Sequence, residues 1–289
     1  MAKSAEATAK RAVGSTLVLA ALSLLWITPT FALLVTSVRE RTEAQVTGWW
    51  TVFTNFGGQH WTLSAFSKVI NESGIGGSFV ASAAVTIPAT VLPLLFAAYA
   101  AYGFTFLDFK GREVIFSIII GLLVVPIQSA LVPVLKMFIA FTDKTGIALS
   151  GQYPSAWIVH SAFAMPLAVY ILRNYMMTIP ISLIEAARVD GASHFKIFWK
   201  LILPISVPAL ASFAIFQFLW VWNDYLIAFV FVGNEHPVLT YRLLGMLGQY
   251  QEGWQTVAAG SFISMSVPLL VFFSLQRFFV SGLTAGSVK

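Results

Sequence analysis

Glu185-Ala186-Ala187-Arg188-Val189-Asp190-Gly191-Ala192, followed by Leu203-Pro204, is a polar-flanked insert in an otherwise oily chain. Its residue types suit docking to a partner. Glu185 offers a charged contact, Ala186 and Ala187 permit close approach, and Gly191 after Asp190 supplies a helix stop where glycine takes positive φ without steric cost. A second constellation, Trp222-Asn223-Asp224-Tyr225, sets an amide and a carboxylate among aromatic rings, with Trp220 beside it and Gln217 one turn before. Amides, carboxylates and ring faces are what a hydroxylated solute needs. Gln128 and Ser129, between Pro126 and Pro133, whose rings free backbone carbonyls and favour kinks, and His160 with Ser161 are further polar groups inside apolar stretches. Polar groups there are costly and face a cavity or a neighbouring helix. Hydrogen bonds that glue helices together account for the same residues, His160 above all.

Those groups need elements that hold them in a bilayer. Hydrophobic residues make up 58% of the 289 positions and charged residues only 10%, with a mean hydropathy of +0.81. That is the composition of an integral membrane protein. A hydrocarbon core of roughly 30 Å takes about 20 apolar residues of helix to cross. The chain offers Val13 to Val38, Ser78 to Phe104, Val114 to Phe141, Ser155 to Leu172, Val207 to Val232 and Thr256 to Val280. The fold class expected is all-α and polytopic, with six transmembrane helices in one transmembrane domain over residues 1–289.

An even number of spans puts both termini on one side. With the termini cytoplasmic, Lys3, Lys10, Arg11, Lys110, Arg112, Arg173, Arg188, Lys196, Lys200, Arg277 and Lys289 lie inside, and the smaller share of the 17 Lys and Arg, Arg39, Arg41, Lys68, Lys136, Lys144 and Arg242, lies outside. The bias of basic residues to the inner side favours this orientation, although Arg39 and Arg41 run against it. The first apolar run is longer than the about 7 to 15 residues of a signal-peptide core, so an uncleaved first helix is expected. Zero cysteines exclude disulfides and thiol chemistry, and the four histidines are too scattered for a metal site. No G-x-x-x-x-G-K phosphate loop occurs, so ATP hydrolysis is not expected of this chain.

The connections differ in kind. Arg39 to Gly77 carries Trp49, Trp50 and Trp61, which fit an interfacial belt. Thr105 to Glu113 is a short charged turn, and Thr142 to Pro154 a short loop with Gly146 and Gly151. Asn174 to Ser206 is too long for a turn and carries helical text. Leu183, Ile184 and Ala187 recur on one face, Glu185 and Arg188 stand at i,i+3, and Ser193 caps a second piece through Phe195, Ile197, Phe198 and Leu201 that ends before Pro204. Periodicity alone fits equally an amphipathic pair resting on lipid headgroups.

Glu185-Ala186-Ala187, Gly191 and Ile202-Leu203-Pro204 at this spacing, between the fourth and fifth spans, resemble the EAA loop of permease subunits of bacterial ATP-binding-cassette importers. Trp222-Asn223-Asp224-Tyr225 and the tail Gly282 to Lys289 make the chain similar to the smaller, six-span permease of carbohydrate importers of the maltose type. The resemblance covers Phe79 to Lys289 well, and the first span and loop only in layout. It implies a type I importer of a sugar, expected to be a di- or oligosaccharide, with a second related permease, two ATPase subunits that use ATP and Mg, and an extracytoplasmic sugar-binding protein. Glu185, Ala186, Ala187, Asp190, Gly191, Leu203 and Pro204 would then couple to the ATPase. Gln128, Ser129, Gln217, Trp222, Asn223, Asp224 and Tyr225 are candidates for the substrate path, although in the maltose type the partner permease supplies most sugar contacts. The tail would reach between the ATPase subunits. The alternative is an ATP-independent secondary transporter or channel for a small polar solute, a class that more often shows a buried acid pair or inverted repeats.

Overall fold

A computed structural model describes residues 2–248 and 253–284. Its helices are α1 (Ala2–Ser37), α2 (Arg41–Val46), α3 (Ser64–Asn71), α4 (Ile75–Phe106), α5 (Arg112–Gly121), α6 (Ile127–Thr145), α7 (Tyr153–Met176), α8 (Ile181–Val189), α9 (His194–Ile197), α10 (Leu203–Ile205), α11 (Val207–Trp222), α12 (Leu239–Gly248) and α13 (Trp254–Thr284). No β-strand is present among the described residues, only one isolated antiparallel bridge between Arg39 and Trp61. Four helices are long and apolar enough to cross a bilayer: Val13–Ser37, Ile75–Phe106, Tyr153–Met176 and Trp254–Gln276. Two bent pairs bring the count to six, Arg112–Val124 with Ile127–Thr145 at 104° and His194–Ile205 with Val207–Trp222 at 72°.

Two expected spans are therefore not single helices. Val114 to Phe141 breaks at Val125, which is extended at ψ 116° before Pro126. The ring of a proline excludes the preceding residue from helical ψ, and the chain turns there. Val207 to Val232 stops as α-helix at Trp222 and resumes as a wide π turn over Ala228–Val232. At its other end it adjoins the helical piece before Ser206. Pro208 lies in the first turn of α11 and brings no N–H to the ladder. The hydroxyl of Tyr175 donates to the Ile205 carbonyl at that bend, 3.1 Å away.

The chain divides into two compact units, Met1–Ile75 with Leu243–Ile263, and Gly76–Arg242 with Ser264–Lys289. In the first, Arg39 ends α1 and is fully covered. Its guanidinium donates to the carbonyls of Glu43, Thr47 and Gly48 and to the hydroxyls of Thr47 and Thr51. Trp49 packs edge-on against Phe31 and Phe53, whereas Trp50 and Trp61 remain exposed.

The second unit has two buried clusters. One joins Ala97, Ala98, Ala101 and Tyr102 of α4 to Ala168, Val169 and Leu172 of α7, to Ile184, Ile197, Phe198 and Ile202 of the Asn174–Ser206 connection, and to Phe213 of α11. The other joins Ala81, Val85 and Ala89 to Leu131, Phe138, Val159, Val221, Ile227 and Phe231. Small alanines let the bulky side chains of neighbouring helices approach closely, as packing within a bilayer requires.

Candidate coupling site and translocation path

The Asn174–Ser206 connection is built into the bundle. Ile184 is buried and Ala187 packs beside it, while Glu185, Ala186, Arg188 and Val189 face outward and Leu183 is partly exposed. The stop after α8 has the geometry of a Schellman turn. Gly191 takes φ +78°, its N–H donates to the Arg188 carbonyl, and the Ala192 N–H donates to Ala187. A Cβ at Gly191 would meet nothing within 4 Å, so glycine is required for its backbone angle and not for space within this chain. Ser193 then accepts the Lys196 N–H and opens α9.

The second helical piece does not end before Pro204. It passes through a π turn over Phe198–Ile202 and continues as α10. Proline cannot donate to a carbonyl four residues back, and the wider turn accommodates the missing bond. Leu203 packs on the buried cluster and Pro204 is exposed. Asp190 is exposed beside Gly191. Glu185, Ala186, Asp190 and Gly191 thus present an unencumbered outer face on a seat made by Ile184, Ile197, Phe198 and Ile202. The tail candidate lies outside the described residues beyond Thr284.

The path candidates fall into two groups. Gln217 and Trp222 are buried and donate across helices, Gln217 Nε2 to the Ala89 carbonyl at 3.1 Å and Trp222 Nε1 to Ser264 at 3.1 Å. Trp222 also lies edge-on to Phe79 and stacks on Phe218. Asp224 caps the resumed helix by accepting the N–H groups of Ile227 and Ala228 at 2.9 and 3.1 Å. Asn223 is exposed in the break, donating to the Leu219 carbonyl. Tyr225 stacks with Phe229 and Tyr241.

His160 Nε2 lies 3.8 Å from Asp224 Oδ2, across a narrow crevice lined also by Ser82, Thr86 and Trp222. Gln128 and Ser129 are exposed in the first turn of α6, where the Ser129 hydroxyl donates to the Pro126 carbonyl. The structure gathers Gln217, Trp222, Asn223, Asp224 and Tyr225 around one helix break and leaves Gln128 and Ser129 on a separate element.

Sequence reasoning counted Arg173 only as an inner-side charge and missed its pairing: it donates to both oxygens of Glu113 at 2.9 and 3.1 Å and lies over the Phe116 ring at 4.0 Å. This fixes the short charged turn to the end of α7. An arginine at the end of one span and a glutamate at the start of another were the available signal.

Residues 91–284 match the family described as binding-protein-dependent transport system inner membrane component. The chain is 45% identical to the osmoprotective compounds uptake permease protein GgtD of Synechocystis sp., over 93% of this chain and 89% of that one. It is 50% identical to the alpha-glucoside transport system permease protein AglG of Rhizobium meliloti, over 79% of this chain and 60% of that one. In fold it resembles a chain of a bacterial ABC transporter involved in import of the acidic polysaccharide alginate, with a TM-score of 0.70, 21% identity, and coverage of 92% of this chain and 94% of that one.

Proposed function

The chain belongs to the family of inner membrane components of binding-protein-dependent transport systems, and from that premise we propose that it is the smaller, six-span permease of an ATP-binding-cassette importer for a sugar or glycoside. It pairs with a second, related permease. Two ATPase subunits dock on the Asn174–Ser206 connection and use ATP and Mg, neither of which this chain binds. An extracytoplasmic binding protein delivers the solute, and both termini are cytoplasmic. The name of the relative AglG, an alpha-glucoside transport system permease protein, supports a sugar-like cargo.

One observation carries the reading. The outward face of α8 and its Gly191 turn are free of intrachain contact, while the inward side is buried among α4, α7 and α11. A partner that grips the free face moves the helices behind it as a rigid body. Glu185, Ala186, Asp190 and Gly191 form that face, Ala187 seats it on the bundle, and Leu203 and Pro204 lead into α11. For the path, Asn223 and Tyr225 at the helix break and Gln128 and Ser129 on α6 are the solute-facing groups. Gln217, Trp222 and Asp224 hold the break in shape.

The test is Gly191→Asp in the complex reconstituted with its permease partner, ATPase subunits and binding protein. Aspartate is among the residues that tolerate positive φ best, so the chain stays folded and the new charge stands on the docking face. Binding-protein-stimulated ATP hydrolysis is expected to fall about tenfold, equivalent to about 1.4 kcal/mol of lost docking. Unchanged stimulation, or uptake by this chain without an ATPase subunit, would sink the proposal.

A further inference from the structure

The docking element has two routes into the bundle, and only one is covalent. From α10 the chain continues through Ser206 into α11, so span five follows the connection directly. Span two, α4, has no such link. Its attachment is made by side chains at its last two turns.

Tyr102 is 4% exposed, and its hydroxyl is hydrogen-bonded to His194 Nδ1 at 2.8 Å. His194 is the first residue of α9, directly after the turn that ends α8. The Tyr102 ring lies edge-on to Phe198 at 5.5 Å. One turn back, Tyr99 stacks on the same Phe198 at 4.2 Å and 21° and stands edge-on to Trp199 at 5.8 Å. Ala97, Ala98 and Ala101 are fully buried alongside, which brings the α4 backbone close to these rings.

The two kinds of contact hold differently. Apolar and ring contacts are non-directional and tolerate sliding by an ångström or so. A hydrogen bond between two side chains fixes distance and angle. In the Tyr102–His194 pair the bond also satisfies a buried hydroxyl that would otherwise lose its partner.

We propose that Tyr102 is a positioning residue for coupling: through His194 it locks the second coupling helix to α4, so that the docking stroke drives span two together with span five. The inference rests on the ATP-coupled reading above. The movement has a destination, because α4 also holds the region of the helix break. The Ala89 carbonyl of α4 accepts from Gln217, and Ser82 accepts the Leu239 N–H at 2.8 Å. Without the latch the stroke reaches α11 and slips past α4.

The experiment uses the full reconstituted complex with Tyr102→Phe, His194→Ala, the double variant and His194→Asn. Phenylalanine keeps every ring contact and removes only the hydroxyl. Asparagine places its Oδ1 near the position of the imidazole Nδ1 and can accept from the hydroxyl. Readouts are co-purification of the ATPase subunit, basal ATP hydrolysis, and the ratio of binding-protein-stimulated to basal hydrolysis.

Tyr102→Phe and His194→Ala are expected to keep the ATPase subunit and basal rate while lowering the stimulation ratio about fivefold, the size of one hydrogen bond. The double variant falls no further than either single, and His194→Asn restores most of the ratio. A normal ratio in Tyr102→Phe overturns the proposal, as does a double variant whose loss is the product of the singles. If Tyr102→Phe fails to assemble, equal ratios in His194→Ala and His194→Asn overturn it instead. Failure of the unaltered chain to retain an ATPase subunit would strike the transport reading itself and is seen separately.

Discussion

The connection from Asn174 to Ser206 and the loop from Arg39 to Gly77 both fold into short helices, and they are held by opposite means. The first buries Ile184, Ile197, Phe198 and Ile202 among helices of its own unit. The second gathers around one cation, with Arg39 at 1% exposure surrounded by carbonyls and hydroxyls of the residues that follow it. A connection seated by apolar surface on several helices moves when they move. The polar ties of the second run to its own backbone, and Trp49 rests on Phe31 of α1. In the proposed reading the first acts as a lever, whereas the second is a cap on the end of α1.

The sharpest way to break this contrast is Phe198→Ala. Phe198 is 1% exposed and touches Tyr99, Tyr102 and Trp199, so the cavity left behind costs about 3 kcal/mol of stability. Thermal unfolding of the purified permease reads the loss, and hydrogen exchange should rise in α4, α7 and α11 as well as in the connection. Exchange that rises only between Asn174 and Ser206 would mean that the connection is a loose appendage. Arg39→Gln ranks next. It strands several partly buried carbonyls at a cost of about 1 kcal/mol, with faster exchange expected only across residues 39–61. Spread of that effect into α4 or α7 would remove the distinction between lever and cap.

These particulars mark what could be read from the chain alone. The Asp190-Gly191 stop and the Ser193 cap were legible because each depends on one residue type in one local geometry. Four spans were legible because length and hydropathy are local sums. The bends were not. Pro126 and Pro133 both lie in the third apolar stretch, yet only Pro126 breaks it, while Pro133 sits inside α6. Which proline bends a helix depends on the partners of the freed carbonyls.

Gln217 and Trp222 could be read as solute contacts or as groups that glue helices together, because a buried amide and an indole N–H each need a partner. The partners proved to be the Ala89 and Ser264 carbonyls, far away in sequence. Arg39 was counted as a charge against the favoured orientation. Its guanidinium is instead covered by the loop, a fate that no run of neighbouring residues announces.

The smallest effect concerns pH and belongs to the cap alone. His60 Nδ1 lies 2.5 Å from Glu43 Oε1, and the His60 backbone N–H also donates to that carboxylate at 3.1 and 3.2 Å. The hydrogen bond to Glu43 holds the imidazole above its ordinary 6.5, and the same bond holds the Glu43 carboxyl below its ordinary 4.5. Each shift contributes stability on its own side. The His60 part is fully present below 6.5 and is lost as pH rises through the elevated value. The Glu43 part is present above 4.5 and is lost as pH falls through the depressed value. The loop is therefore tightest between about 4.5 and 6.5 and loosens toward alkaline pH. Because the pair is exposed, solvent screens it and the change is small. Hydrogen exchange across residues 40–61, corrected for its intrinsic pH dependence, should quicken modestly from pH 6 to pH 8.5, and His60→Gln should abolish that dependence. Exchange across residues 184–202 should not change with His60→Gln, since the His60–Glu43 pair belongs to the cap; a change there would mean that the two connections respond as one body.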